Sequence, residues 1–128
     1  MGKREFDCVR KIALALPEAN ERFSHGAPCF FIQDRQPLCY YHDNQRGDGR
    51  ISVWCPAPLG VPEELVSAEP ERFFEPPASA TRVFSRWLGV YLDTGAVKKV
   101  DWNEVAAILE GAHRNVAPQK LVAELDQG

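Results

Sequence analysis

"RFSHGAPCFFIQDRQPLCYYHDNQRGDGRISVW", residues 22 to 54, holds short runs of aromatic and β-branched residues cut apart by turn formers. Such runs, bounded by Gly, Pro, Asn and Asp, read as strands. The spacing predicts strands at Glu21 to Ser24, Pro28 to Ile32, Leu38 to His42 and Ile51 to Trp54. In the first connection Gly26 permits the turn and Pro28 keeps Ala27 extended. The next, "QDRQP" (33 to 37), is a compact hairpin loop, and "DNQRGDG" (43 to 49) is longer, with Gly47 and Gly49 able to take positive φ. Both loops are expected to project as wings with balanced charge, Arg35, Arg46 and Arg50 against Asp34, Asp43 and Asp48.

Outward from this block the period changes from two to about 3.6. Phe6, Val9, Ile12, Ala13 and Leu16 mark one face of a helix over Glu5 to Leu16 that Pro17 stops. A short helix follows from Pro62 to Pro70, where Glu63 and Glu64 complement its positive start. A proline-rich link, "EPPAS" (75 to 79), leads to the strand "RWLGVYLD" (86 to 93). Asp101 and Glu104 make a capping-box-like start for a helix whose face is Val105, Ile108, Leu109, Ala112 and Val116, running to Pro118. Gln119 to Leu125 is a last short helix. This order predicts an α+β fold, a two-layer antiparallel sheet with N-terminal and C-terminal helices on one face, in a single domain over residues 1–128.

Such a sheet has a second face. If Leu88, Val90 and Leu92 meet the helices, Trp87 and Tyr91 point away, as Trp54 does when Ile51 and Val53 point in. An open face bearing Trp54, Trp87, Tyr91 and one of Tyr40 or Tyr41 is the kind of surface that marks a dimer, ligand or stacking site. The other reading is that loops or the C-terminal segment fold over it.

The chain has 128 residues, 45% hydrophobic and 26% charged, the balance of a soluble globular protein. Charged residues break the first apolar segment, and no apolar run reaches the ~18 residues of a membrane span, so the expected location is the cytoplasm. The net charge of -3 speaks against a dedicated nucleic-acid binder. Any positive patch must be local, and residues 72 to 100 hold the main excess of bases.

Candidate chemistry is sparse. Cys8, Cys29, Cys39 and Cys55 form no CxxC pair and are expected to be buried small hydrophobes. Cys29 with His25 lacks a third partner for nucleophilic catalysis. Cys39 and His42 are three apart on a strand and face opposite sides, so with Cys29 or Cys55 they make a poor metal site. Cys29 and Cys39 are placed opposite each other across the hairpin, where air oxidation would join them. His113 reads as a solvated or capping histidine. No motif for a cofactor is present, and no cofactor is expected.

The stretches "LPEANERFSHGAPCFFI", "ISVWC", "AEPERFFEPP", "RWLGVYLD", "VDWNEV" and "VAPQKL" together give the chain a resemblance, over nearly its whole length, to the MmcQ/YjbR family of small bacterial proteins. The resemblance implies a secretion-chaperone-like α+β fold and a turn at His25 to Pro28 into the second strand. It also implies DNA as a partner, through a double-wing arrangement. Many members carry a Gly-Lys turn where this chain has "DRQP", and a lysine where it has Trp54. Both departures remove positive charge.

Three functional readings follow. A nucleic-acid module would use Arg35, Arg46 and Arg50 on the wings, extended by Arg82, Arg86, Lys98 and Lys99. A protein-interaction or chaperone-like module would form a homodimer or dock a partner on Trp54, Trp87 and Tyr91. An enzyme or ligand-binding pocket near His25 ranks last, because nothing assembles an acid, a base and an electrophile. The expectation is a non-enzymatic binding protein that holds DNA weakly through its two hairpin wings, with the protein-interaction module as the alternative.

Overall fold

The computed structural model describes residues 3–24, 27–43, 50–58, 60–76, 87–93 and 100–127. Helix α1 (Lys3–Leu14) buries Val9 and Ala13 completely. It ends two residues before the expected Leu16, because Ala15 and Leu16 donate backward into tighter turns and Glu18 reverses the chain at φ 59°. Four strands follow: β1 (Ala19–Ser24), β2 (Ala27–Ile32), β3 (Gln36–Asp43) and β4 (Ile51–Pro56). Then come α2 (Val61–Ala68), β5 (Phe73–Phe74), β6 (Trp87–Tyr91), α3 (Trp102–Val116) and α4 (Gln119–Gln127).

The six strands make one antiparallel sheet in the order β1-β2-β3-β4-β6-β5. This is the α+β architecture that the sequence pattern predicts, with α1 and α3 packed on one face. Between them lies the main core, built on Val9, Phe30, Tyr41, Val53, Leu88 and Leu109. Gly60, at φ 89°, turns the chain into α2 through a conformation that costs a side-chain-bearing residue about 1 kcal/mol or more. Asp101 caps α3 by accepting from the N–H groups of Asn103 and Glu104. The Glu104 side chain does not reach back to complete a capping box. It pairs with Arg72, which also holds Glu69 at 2.7 Å, and so ties the α2–β5 connection to α3.

His113 is a correction to the sequence reading. It is fully buried, and its Nε2–H donates to the Pro17 carbonyl at 3.0 Å, pinning α3 to the α1–β1 connection. The hairpin cysteines are another. At the turn the β2–β3 register pairs Ile32 with Gln36 and Phe31 with Pro37, which, if continued, would set Cys29 against Cys39. A bulge at Leu38, beside a Pro37 with no N–H for the ladder, moves the register by one, so Cys39 faces Phe30 and Cys29 faces Tyr40. A one-residue slip exchanges faces. Cys39 enters the main core and Cys29 the other side of the sheet, and no bridge joins them.

Candidate functional site

The second face of the sheet follows from the register. Tyr40 pairs with Trp54, Trp54 with Gly89 and Gly89 with Phe74, while His42 pairs with Ser52 and Ser52 with Tyr91. Directly opposed residues share a face, so these side chains form one strip. Tyr40 lies 5.8 Å from Trp87, His42 4.1 Å from Trp54, and Phe74 6.2 Å from Trp54 and 4.6 Å from Tyr91, ring centre to ring centre. Phe74 lies over Gly89, where a Cβ would stand 2.3 Å from the ring. Tyr40, rather than Tyr41, belongs to this strip, since Tyr41 packs on Phe6 of α1 at 5.0 Å.

The strip is not the open surface that the alternation suggests. Trp54 and Trp87 share the face as expected, but each is 8% exposed and Tyr40 is 2% exposed. The rings cover one another, and Cys29 and Phe31 extend this second cluster toward β1. At its other end the Arg50 guanidinium sits 3.7 Å over the half-buried Tyr91 ring. That guanidinium is also bidentate to Asp93 at 3.0 to 3.1 Å, and Asp93 accepts the Ile51 N–H. Burial disfavours the Asp93 carboxylate, but the hydrogen bonds from Arg50 and Ile51 outweigh it and hold its pKa below the ordinary value.

The two basic candidates among the described residues, Arg35 and Arg50, are not brought together. Arg35 is exposed in the β2–β3 turn, and Arg50 enters β4 from the far end of β3. β3 has 8 residues, so at ~3.4 Å per residue the two turns stand about 24 Å apart at opposite ends of the sheet. Two of the wing charges have partners outside their own turn. Asp34 pairs with Arg22 of β1 at 3.0 Å, and Arg50 with Asp93, 43 residues onward. Arg46, Arg82, Arg86, Lys98 and Lys99, and the His25 turn, lie outside the described residues.

Three of the four thiols are unreactive by placement. Burial pushes Cys29 and Cys55 up to about 12, and Cys39 well above its usual value. Among the described residues no three of His, Cys, Asp or Glu cluster as metal ligands, and no helix is long and apolar enough to cross a membrane.

What sequence reasoning passed over is the outer edge of β1. The opposite edge of the sheet is β5, only 2 residues long, and short edges are poor templates for pairing. β1 has 6 residues, and among the described residues no strand pairs with its outer side. It carries neither lysine nor proline, and its two charges are matched within the chain, Glu21 by Arg10 at 2.7 Å and Arg22 by Asp34. Phe23 is 72% exposed on this edge. The available signal is Phe23 itself, an aromatic residue in the polar run "ANERFS".

No family model matches the chain, and no curated protein matches it. Among solved structures it is similar to a crystal structure of the Deinococcus radiodurans protein DR2400, described by a DUF419 domain. The TM-score is 0.67 at 18% identity, over 90% of this chain and 80% of that one. The likeness is one of fold.

Proposed function

We propose that the chain is a member of the MmcQ/YjbR family, to which the DUF419 description corresponds, and acts in the cytoplasm as a non-enzymatic protein-interaction module. The observation that carries the interaction reading is the β1 edge, whose outer side pairs with no strand among the described residues and which carries Phe23 at 72% exposure. Edges of this kind bind an extended polypeptide as an added strand, the main chain supplying hydrogen bonds and alternate side chains the specificity. The aromatic strip then serves as a second core that stiffens the sheet. Support for a role without catalysis comes from Cys29, the nucleophile that the sequence sets near His25, whose thiol burial keeps protonated. Four free cysteines, three of them buried, suit a reducing compartment.

The test is selection of displayed random peptides on the wild-type protein, with the Phe23→Glu variant as counter-selection. Enrichment of alternating apolar peptides that the variant fails to hold is the expected result. Peptides held equally by both would remove the edge from the account.

Nucleic acid is the second reading, favoured by the exposure of Arg35 at the tip of its turn. Each phosphate contact adds about 0.9 to the salt slope on duplex DNA. Fluorescence anisotropy at low and physiological salt decides it. Binding that falls steeply with salt and drops in Arg35→Glu would favour DNA over the edge.

A further inference from the structure

We propose that the strand which fills the β1 edge is β1 of a second copy, paired antiparallel about a twofold axis normal to the sheet. This rests on the edge reading above and names its partner.

A twofold interface must be self-complementary. With the axis normal to the sheet, the helix-covered side of both copies lies on one side, so residues opposed across the axis must share a face. In β1, Ala19, Glu21 and Phe23 point to the helix side, since they pair with Ile32, Phe30 and Pro28, of which Ile32 and Phe30 are in the main core. Asn20 and Arg22 point to the other side, where the Arg22 guanidinium sits 4.3 Å over Phe31. Full overlap therefore leaves two centrings, with Glu21 or Arg22 on the axis.

Centring on Glu21 sets Phe23 opposite Ala19 of the second copy, and toward Leu14 at the end of that copy's α1. Phe23 and Leu14, 72% and 42% exposed, are the two large hydrophobic side chains left out among the described residues. One operation covers both. The same centring brings the two Glu21 carboxylates together, each already held at two points by its own Arg10 at 2.7 Å. The two like charges stand opposed across the axis, each neutralised by its own Arg10. Centring on Arg22 instead opposes Phe23 to Glu21 of the second copy and sets guanidinium against guanidinium. Both centrings oppose like charges that are matched within each copy, Glu21 by Arg10 and Arg22 by Asp34, so the choice falls to the apolar match, which selects Glu21.

Sedimentation velocity on the full chain across a hundredfold range of concentration should show a species of twice 14.4 kDa. Phe23→Glu, at an exposed site that leaves the fold intact by circular dichroism, should raise the dimer Kd by about tenfold or more, or roughly 1.4 kcal/mol. On a Cys8→Ser background, Glu21→Cys places two Cα atoms about 4.5 to 5.5 Å apart across the axis, within reach of a disulfide. Mild oxidation should link that variant and leave the exposed α2 control Ser67→Cys unlinked. A monomer at every concentration overturns the proposal and leaves the peptide selection to judge the wider reading. A dimer indifferent to Phe23→Glu, or linked equally at both positions, overturns it too.

Discussion

Replacing Gly89 by alanine tests whether the aromatic strip is a packed core. A Cβ at this position meets three atoms of the Phe74 ring at 2.3, 2.4 and 2.5 Å, about an ångström inside ordinary contact. The ring must move, and it moves away from Trp54 and Tyr91, its two aromatic neighbours. Overpacking of this kind costs about 1–3 kcal/mol, and each aromatic contact given up about 0.5–1.5 kcal/mol. Against that, loss of glycine's freedom in the unfolded chain returns roughly 0.4–1 kcal/mol. The net expectation is a destabilisation of about 1–5 kcal/mol, read as a lower urea midpoint at unchanged slope. In a Phe74→Ala background the clash is gone, and Gly89→Ala should be neutral or stabilising. The same cost in both backgrounds, or no cost in the wild type, would refute the packing.

Asp93 has a folded-state pKa below its unfolded value, so its pairing with Arg50 adds stability above the unfolded value of about 4 that is lost as pH falls through the folded one. Asp93→Asn should therefore lower the melting temperature at neutral pH and converge with wild type in acid; a constant difference across that range would contradict the latch. Native protein treated with a thiol reagent at pH 8 should label only Cys8, which is half-buried, and all four cysteines in urea. Rapid native labelling at Cys29, Cys39 or Cys55 would contradict their burial. Asp101→Ala should cost about 1 kcal/mol through loss of the α3 cap, with no change in self-association by sedimentation.

The fold was legible because periodicity and burial agree. Alternation in "ISVWC" and "RWLGVYLD" put Val53 and Leu88 in the main core and Trp54 and Trp87 behind the sheet, as the register has them. The β5 pair was not legible, since two residues are too short to alternate, and without β5 nothing places Phe74 over Gly89. That is why the sequence leaves the strip either open or covered by loops or the C-terminal segment, whereas in the fold its own rings cover it. The bulge at Leu38 was equally hidden, because register depends on how a turn is closed: Gln33 and Asp34 take positive φ, with Asp34 held by Asn20 and Arg22. The opposed directions of the two wings, by contrast, follow from any antiparallel meander. Consecutive hairpins point opposite ways, and that alone separates Arg35 from Arg50. Phe23 shows the remaining gap, for a strand's sequence does not say whether it lies at an edge.

The most direct measurement is amide hydrogen exchange over Ala19–Ser24 at low and high protein concentration, for wild type and Phe23→Glu. Protection of β1 that rises with concentration in the wild type, and stays flat in the variant, is the predicted result. Protection of β1 that is the same at both concentrations in the wild type would contradict the claim that this edge pairs with a second copy.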